Sequence, residues 1–256
     1  MRLKEKLSIL SKSSQYSVST LRKGEPNEEL RNKKSLYVKS EIDVDFEVAL
    51  DKSSKGDLLF LCGSSGDGKS EILTKLFNMS KYSHIEFHLD ATHSKSQHGS
   101  AVGELDKLFD HYIENGFTLA VGINIGMMQK FIRLGSDRHS EIKGLFGSFF
   151  DNRHVQGFCI SHASFFDFES YPRIDFKNLS ITSSFIKKFL SNLTKQEGNN
   201  PFWSAYIEDE KFNLKEAKNF KMLCNNTVQE NIIELLGVVR LYDEQFLVPR
   251  TFVDFI

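Results

Sequence analysis

With 256 residues, 40% of them hydrophobic and 23 of them phenylalanine, the chain can bury a sizeable aromatic core plus a smaller helical appendage, which excludes global disorder and a many-domain array. The net charge of −1 gives no whole-chain signature of a nucleic-acid binder, although residues 1–39 hold ten Lys and Arg against four Glu and leave −7 on the remainder. No apolar run reaches the roughly 20 residues of a membrane span, and Met1-Arg2-Leu3-Lys4-Glu5-Lys6 lacks the apolar stretch of a secretory signal, so a cytoplasmic protein without membrane contact is expected.

Residues 1–43 read as a basic, partly flexible N-terminal arm, with the polar run Ser11-Lys12-Ser13-Ser14-Gln15-Tyr16-Ser17 inside it. Its cations are either a solvated leader or a means of touching DNA through residues 1–39. Val44 to Leu50 predicts a short helix or strand before the turn Ser53-Ser54-Lys55-Gly56. Leu58-Leu59-Phe60-Leu61-Cys62 is too short for a buried helix and is bounded by glycine on both sides, so it predicts a strand buried on both faces. A glycine loop follows, and from Lys69 onward Ile72, Leu73, Leu76 and Phe77 recur at helical spacing.

Further on, Ile85 to Leu89 predicts a strand, Val102 to Tyr112 a helix, Phe117 to Ile123 a strand and Glu141 to Phe150 a helix, with strand material at Val155 to Ile160 and Phe165 to Phe168. Alternating β and α implies a parallel sheet. Beyond Ile181 the pattern is helical: Ser184 to Leu193, Leu214 to Leu223, and Val228 to Tyr242 behind a capping box Thr227…Glu230. The expected division is an arm at 1–43, an α/β core at 44–180 and a helical lid at 181–256. Apolar residues run to Ile256 without a cap, so the lid is expected to be truncated at its C-terminus.

Gly63-Ser64-Ser65-Gly66-Asp67-Gly68-Lys69-Ser70 fits the Walker A pattern at every fixed position, between a predicted strand and a predicted helix. In such a loop the glycines let consecutive backbone N–H groups curl around phosphate oxygens, and the helix N-terminus adds partial positive charge. Lys69 would bridge the β- and γ-phosphates, and Ser70 would give its hydroxyl to Mg²⁺, with Glu71 closing the segment. A guanine-specific fold should carry Asn-Lys-x-Asp downstream. The only Asn-Lys pair, Asn32-Lys33, lies upstream and lacks the acid, so ATP is the expected nucleotide.

Hydrolysis needs an acid in the metal shell, usually at the end of a neighbouring strand and followed by a second acid. Asp90 is the candidate, but Ala91, Thr92 and His93 follow it, and Asp167 and Glu169 are rivals with the same weakness. Asn124 ends an apolar strand, where it either contacts the γ-phosphate or attacking water or else merely accepts a left-handed turn before Gly126. Arg133, Arg138 and Arg153 are candidate arginine fingers, a role that would require a homo-oligomer. Cys62, Cys159 and Cys224 form no CxxC pair and are expected as buried structural thiols. His84, His88, His93 and His98 show no metal-ligand motif.

Leu59 to Glu71, His88-Leu89-Asp90-Ala91-Thr92-His93 and Gly122-Ile123-Asn124-Ile125-Gly126-Met127 together resemble the DptF family, the DNA phosphorothioation-dependent restriction proteins, over about Leu58 to Ile256. Phe165 to Pro172 strengthens the likeness. The resemblance implies the ATPase component of a bacterial defence system that restricts DNA lacking a phosphorothioate modification, with the other restriction subunits as partners. The core also resembles AAA+ ATPases, in which an Asn acts as sensor and an Arg of the lid contacts the γ-phosphate; Asn124 and Arg250 match those positions. The expected fold class is therefore α/β, an AAA+-like P-loop NTPase with a parallel sheet core and a C-terminal helical lid. The missing acid pair leaves a second reading, a nucleotide-gated interaction module that binds ATP with little hydrolysis.

Overall fold

The computed structural model describes residues 2–8, 28–89, 100–177 and 180–243. Its strands are β1 (Leu58–Cys62), β2 (Ile85–His88), β3 (Thr118–Ile123), β4 (Phe158–Ile160), β5 (Ala163–Asp167), β6 (Asp175–Lys177) and β7 (Ser180–Thr182). The helices are α1 (Leu3–Leu7), α2 (Glu28–Ser35), α3 (Glu41–Lys52), α4 (Lys69–Phe77), α5 (Ala101–Asn115) and α6 (Ile125–Leu134). They continue with α7 (Ser140–Asp151), α8 (Ser184–Thr194), α9 (Pro201–Glu210), α10 (Lys215–Leu223) and α11 (Asn226–Asp243). These elements form two compact units, one of residues 41–171 and one that joins the N-terminal segment to residues from 172 onward.

In the first unit the sheet order is β2-β3-β1-β5-β4. β1 is central, which is why all five of its residues are buried. It runs parallel to β3 and β5, and β3 runs parallel to β2. The expectation of a parallel sheet thus holds for four strands and fails for β4, which is antiparallel to β5. Only Ser161 and His162 separate those two strands, and a two-residue connection can only fold back. β4 is an edge strand, so Cys159 is exposed rather than buried, whereas Cys62 is buried and Cys224 is intermediate.

Successive β1 side chains point to opposite faces. Leu59 and Leu61 pack with Ile42, Phe46 and Leu50 of α3 and Ile72, Leu73 and Leu76 of α4. Leu58, Phe60 and Cys62 face α5, α6 and α7. The phenylalanines make this second layer: Phe60 stacks on Phe165 at 4.9 Å between centroids, and Phe146 meets Phe60 edge-on at 5.1 Å. Gly122 has a packing reason for its place inside β3. A Cβ there would run into the carbonyl of Leu89 and lie 2.9 Å from Leu73 Cδ1.

The second unit contains the β6-β7 hairpin and α8 to α11, together with α1, α2 and residues 36–40. The expected arm is therefore in part a structural element of the helical unit, and the compact units divide after residues 40 and 171 rather than 43 and 180. Leu3, Leu36 and Val38 supply apolar surface to the core around Phe189, Phe202 and Phe220. The Leu3 N–H also donates to Asp209 Oδ2 at 2.9 Å, and both residues are buried. Lys4 pairs with Glu216 and Lys6 with Glu28, so these cations of the arm have partners within the same unit. At the start of α11 the cap is Asn225, whose Oδ1 accepts from the Thr227 N–H at 2.9 Å; Thr227 itself lies inside the helix. No helix among the described residues is long and apolar enough to cross a membrane.

Leu3→Ala should destabilise the helical unit by about 2–5 kcal/mol, the usual cost of emptying a buried leucine site. Trp203, the only tryptophan of the chain, lies on α9 and packs against that core. Urea unfolding followed by its fluorescence should shift to a lower midpoint in the variant. An unchanged midpoint would show that α1 adds nothing to the unit.

Candidate functional site

Four parallel strands present their carboxyl ends on one edge of the sheet, where ligands of open α/β folds commonly bind at the point of strand-order reversal. β1 sits at that point: the chain leaves it for β2 and β3 on one side and returns to β5 on the other. Residues 63–68 follow β1 directly and lead into α4, whose N-cap is Gly68. The loop is tied to both neighbours. Gly63 N–H donates to the Ile123 carbonyl at 3.3 Å, which extends the β1–β3 ladder by one rung. On the other side a Cβ on Gly63 would lie 3.0 Å from Phe168 Cδ2, just beyond β5.

Gly66 and Gly68 have φ of 91° and 103°, a left-handed region that glycine occupies without the Cβ penalty, and Asp67 between them does not. This alternation is the backbone pattern of an anion-binding nest. The N–H groups of Ser65, Gly66, Gly68 and Ser70 have no protein acceptor among the described residues. Lys69 is buried, and its Nζ donates to the carbonyls of Gly63 at 3.0 Å and Ser64 at 2.7 Å. The ammonium is thus stationed over the first two residues of the loop. Ser70 and Glu71 follow on the first turn of α4, Ser70 partly exposed. Helix α4 is anchored below by Ile72, Leu73 and Leu76, so the loop rides on a packed base.

Asn124 follows β3 next to the loop and is the N-cap of α6. Its Oδ1 accepts from the Met127 N–H at 2.8 Å, and its φ of −92° is extended, so the left-handed turn does not occur. The cap fixes which side of the amide faces the helix and leaves the NH₂ group facing away from Met127. Helix α6 itself has no counterpart among the sequence expectations. Gly126, an apparent helix breaker, sits in its first turn.

β2, which leads to Asp90, is separated from β1 by β3, so the candidate acid does not come from a strand adjoining the loop. Asp90, with His93 and His98, lies outside the described residues, and so does Arg250.

The rival acids are committed elsewhere. Asp167 is opposite Cys62 in the β1–β5 register and is 2% exposed. Arg153 Nε donates to Asp167 Oδ2 at 2.8 Å, and Arg153 Nη2 lies 2.7 Å from both Asp167 Oδ2 and Glu169 Oε2. One guanidinium therefore lies against both carboxylates, hydrogen-bonded to Asp167 through Nε and in ion-pair range of Glu169 through Nη2. Burial pushes the Asp167 carboxyl above its ordinary range, against the Glu169 N–H and Arg153, which act to lower it. Burial likewise drives the Cys62 thiol well up, helped by Asp167. Arg153 is thus an internal counterion, not a group reaching out to a neighbour. Arg138 is similarly taken, with Nε and Nη2 on the two oxygens of Asp110 at 2.7 and 2.8 Å. Of the three finger candidates, Arg133 on α6 is exposed and has no ion pair among the described residues.

Sequence reasoning reached the loop, Asn124 and the two rival acids, but it missed that Arg153 clamps those acids. The signal was the hairpin turn that returns the chain from β4 to β5. Comparison with protein-family models, curated proteins and solved structures returns no match to this chain.

Proposed function

We propose that residues 63–70 are a P-loop that binds ATP with Mg²⁺, in an AAA+-like core with a C-terminal helical lid. The observation that carries this reading is the loop itself: a central buried strand, left-handed glycines at 66 and 68, a buried lysine over the loop and a helix beginning at once. These residues fit a triphosphate, because the nest and the helix start offer N–H donors and Lys69 a compact positive charge. Mg²⁺, held by Ser70 and Asp90, would neutralise charge on the phosphoryl group. Asn124 would orient water or meet the γ-phosphate through its NH₂ group.

In the cell we assign the chain to a cytoplasmic bacterial restriction complex that acts on DNA lacking phosphorothioate modification. It would be the ATP-hydrolysing component, working with the other restriction subunits. DNA would be met through residues 1–39, by cations exposed on the arm such as Lys34. An arginine finger from a second copy would have to come from Arg133 or from outside the described residues.

The second reading, an ATP-gated interaction module with little turnover, is favoured by one specific observation. Asp167 and Glu169 are engaged by Arg153, so neither supplies the second acid that is missing after Asp90. Phosphate release by the full chain, with and without duplex DNA, separates the readings. DNA-stimulated release at a steady rate is expected for the ATPase. Tight ATP binding with no release supports the gated module, and absence of binding overturns both.

A further inference from the structure

Asp67 occupies a position that the glycine-loop pattern leaves open, and the structure gives it a defined place. Its side chain turns inward and is buried, between the two left-handed glycines. The Ser64 N–H donates to Asp67 Oδ2, while the Asp67 N–H donates back to the Ser64 carbonyl at 3.4 Å. Residues 64–67 are therefore closed by two bonds, one from the backbone and one from a side chain. The carboxylate stands where Gly63 has no side chain: a Cβ there would lie 2.5 Å from Asp67 Oδ2. Lys69 Nζ meets the Ser64 carbonyl at 2.7 Å, so Ser64 has an anion at its N–H and a cation at its C=O.

We propose that Asp67 is a positioning residue that sets the curvature of the loop from within, and that Gly63 is required chiefly to make room for its carboxylate. The proposal rests on the reading of residues 63–70 as an ATP site. A carboxylate beside a phosphate chain is repelled by it, so an acid here is tolerated when its charge is turned inward and hydrogen-bonded. When Lys69 moves its ammonium toward phosphate oxygens, the bond from Ser64 N–H to Asp67 still holds the start of the loop. Loop shape is then independent of the lysine that binds the ligand.

The test is the affinity of the full chain for a fluorescent ATP analogue with Mg²⁺. Asp67→Ala should weaken binding about 10-fold, the scale of one lost charge-assisted hydrogen bond. Asp67→Asn keeps an oxygen for the Ser64 N–H and should stay within about 3-fold of the unaltered chain. Gly63→Ala should bind weakly, and Gly63→Ala/Asp67→Ala more tightly than Gly63→Ala alone, because the added methyl then enters space the carboxylate has left. The remaining contact with Phe168 limits that recovery. If Asp67→Ala does not fold, Asp67→Cys, which brings no oxygen acceptor to the Ser64 N–H, replaces it in both comparisons. Asp67→Ala as tight as the unaltered chain, Asp67→Asn as weak as Asp67→Ala, or a double variant no tighter than Gly63→Ala would each overturn the proposal. Failure of the unaltered chain to bind the analogue would instead sink the ATP-site reading.

Discussion

Lys69→Ala is expected to weaken binding of an ATP analogue by about 100-fold or more while the chain remains folded. A hundredfold loss corresponds to about 2.8 kcal/mol, the scale of a charge-assisted hydrogen bond to a buried site. The ammonium lies over the loop, bonded to the Gly63 and Ser64 carbonyls, so the lysine is already placed beside the proposed ATP loop. The core beneath α4 is made by Ile72, Leu73 and Leu76, which the substitution leaves in place. Circular dichroism of the variant should match that of the unaltered chain. Lys69→Met, which keeps the stem and removes the charge, should bind as weakly as Lys69→Ala. Equal affinity in either folded variant would refute the P-loop assignment.

Arg153→Ala should have the largest effect on stability, about 3–5 kcal/mol near neutral pH, because it strands the buried Asp167 without its counterion. The pH dependence has a defined sign. Asp167 already titrates above its ordinary value of 3.8 because of burial, and Arg153 is one of the groups that hold it down. A carboxyl raised in the folded state favours folding most below the unfolded value, and that contribution is lost as pH rises through the folded value. Removing Arg153 raises the folded value further. The variant's deficit should therefore be small near pH 4 and largest at pH 7 to 8. Urea midpoints of the two proteins across this range measure it. Arg153→Lys should recover only part of the loss, since a single ammonium cannot replace both Nε at Asp167 and Nη2 at Glu169. An Arg153→Ala variant with normal stability but lost turnover would instead make this arginine a finger.

Local patterns in the chain were enough to find β1, the loop and α4. An apolar run of five residues, glycines at 63, 66 and 68 and the Ile72, Leu73, Leu76 spacing are each properties of a short stretch, and each was realised where the pattern put it. β2, β3, α5 and α7 were legible for the same reason, through periodicity and flanking breakers. Helix α6 was not, because Gly126 in its first turn mimics a breaker and Asn124 suits a turn as well as a cap. The capping residue of α11 was displaced from Thr227 to Asn225 because several polar residues near a helix start can fill that role.

What depends on distant pairing was decided only in three dimensions. Nothing local says that β3 enters between β1 and β2. Arg153 and Asp167 are 14 residues apart and meet only because the β4–β5 hairpin closes, which converts a candidate finger and a candidate acid into one internal ion pair. Leu3 is separated from Asp209 by 206 residues, and a basic leader became in part a core element of the helical unit through that contact. Sequence alone fixes where backbone conformations are available and which faces must be buried. Which charges neutralise one another follows from chain closure over long separations, and that closure gave Arg153, Asp167 and Leu3 their partners.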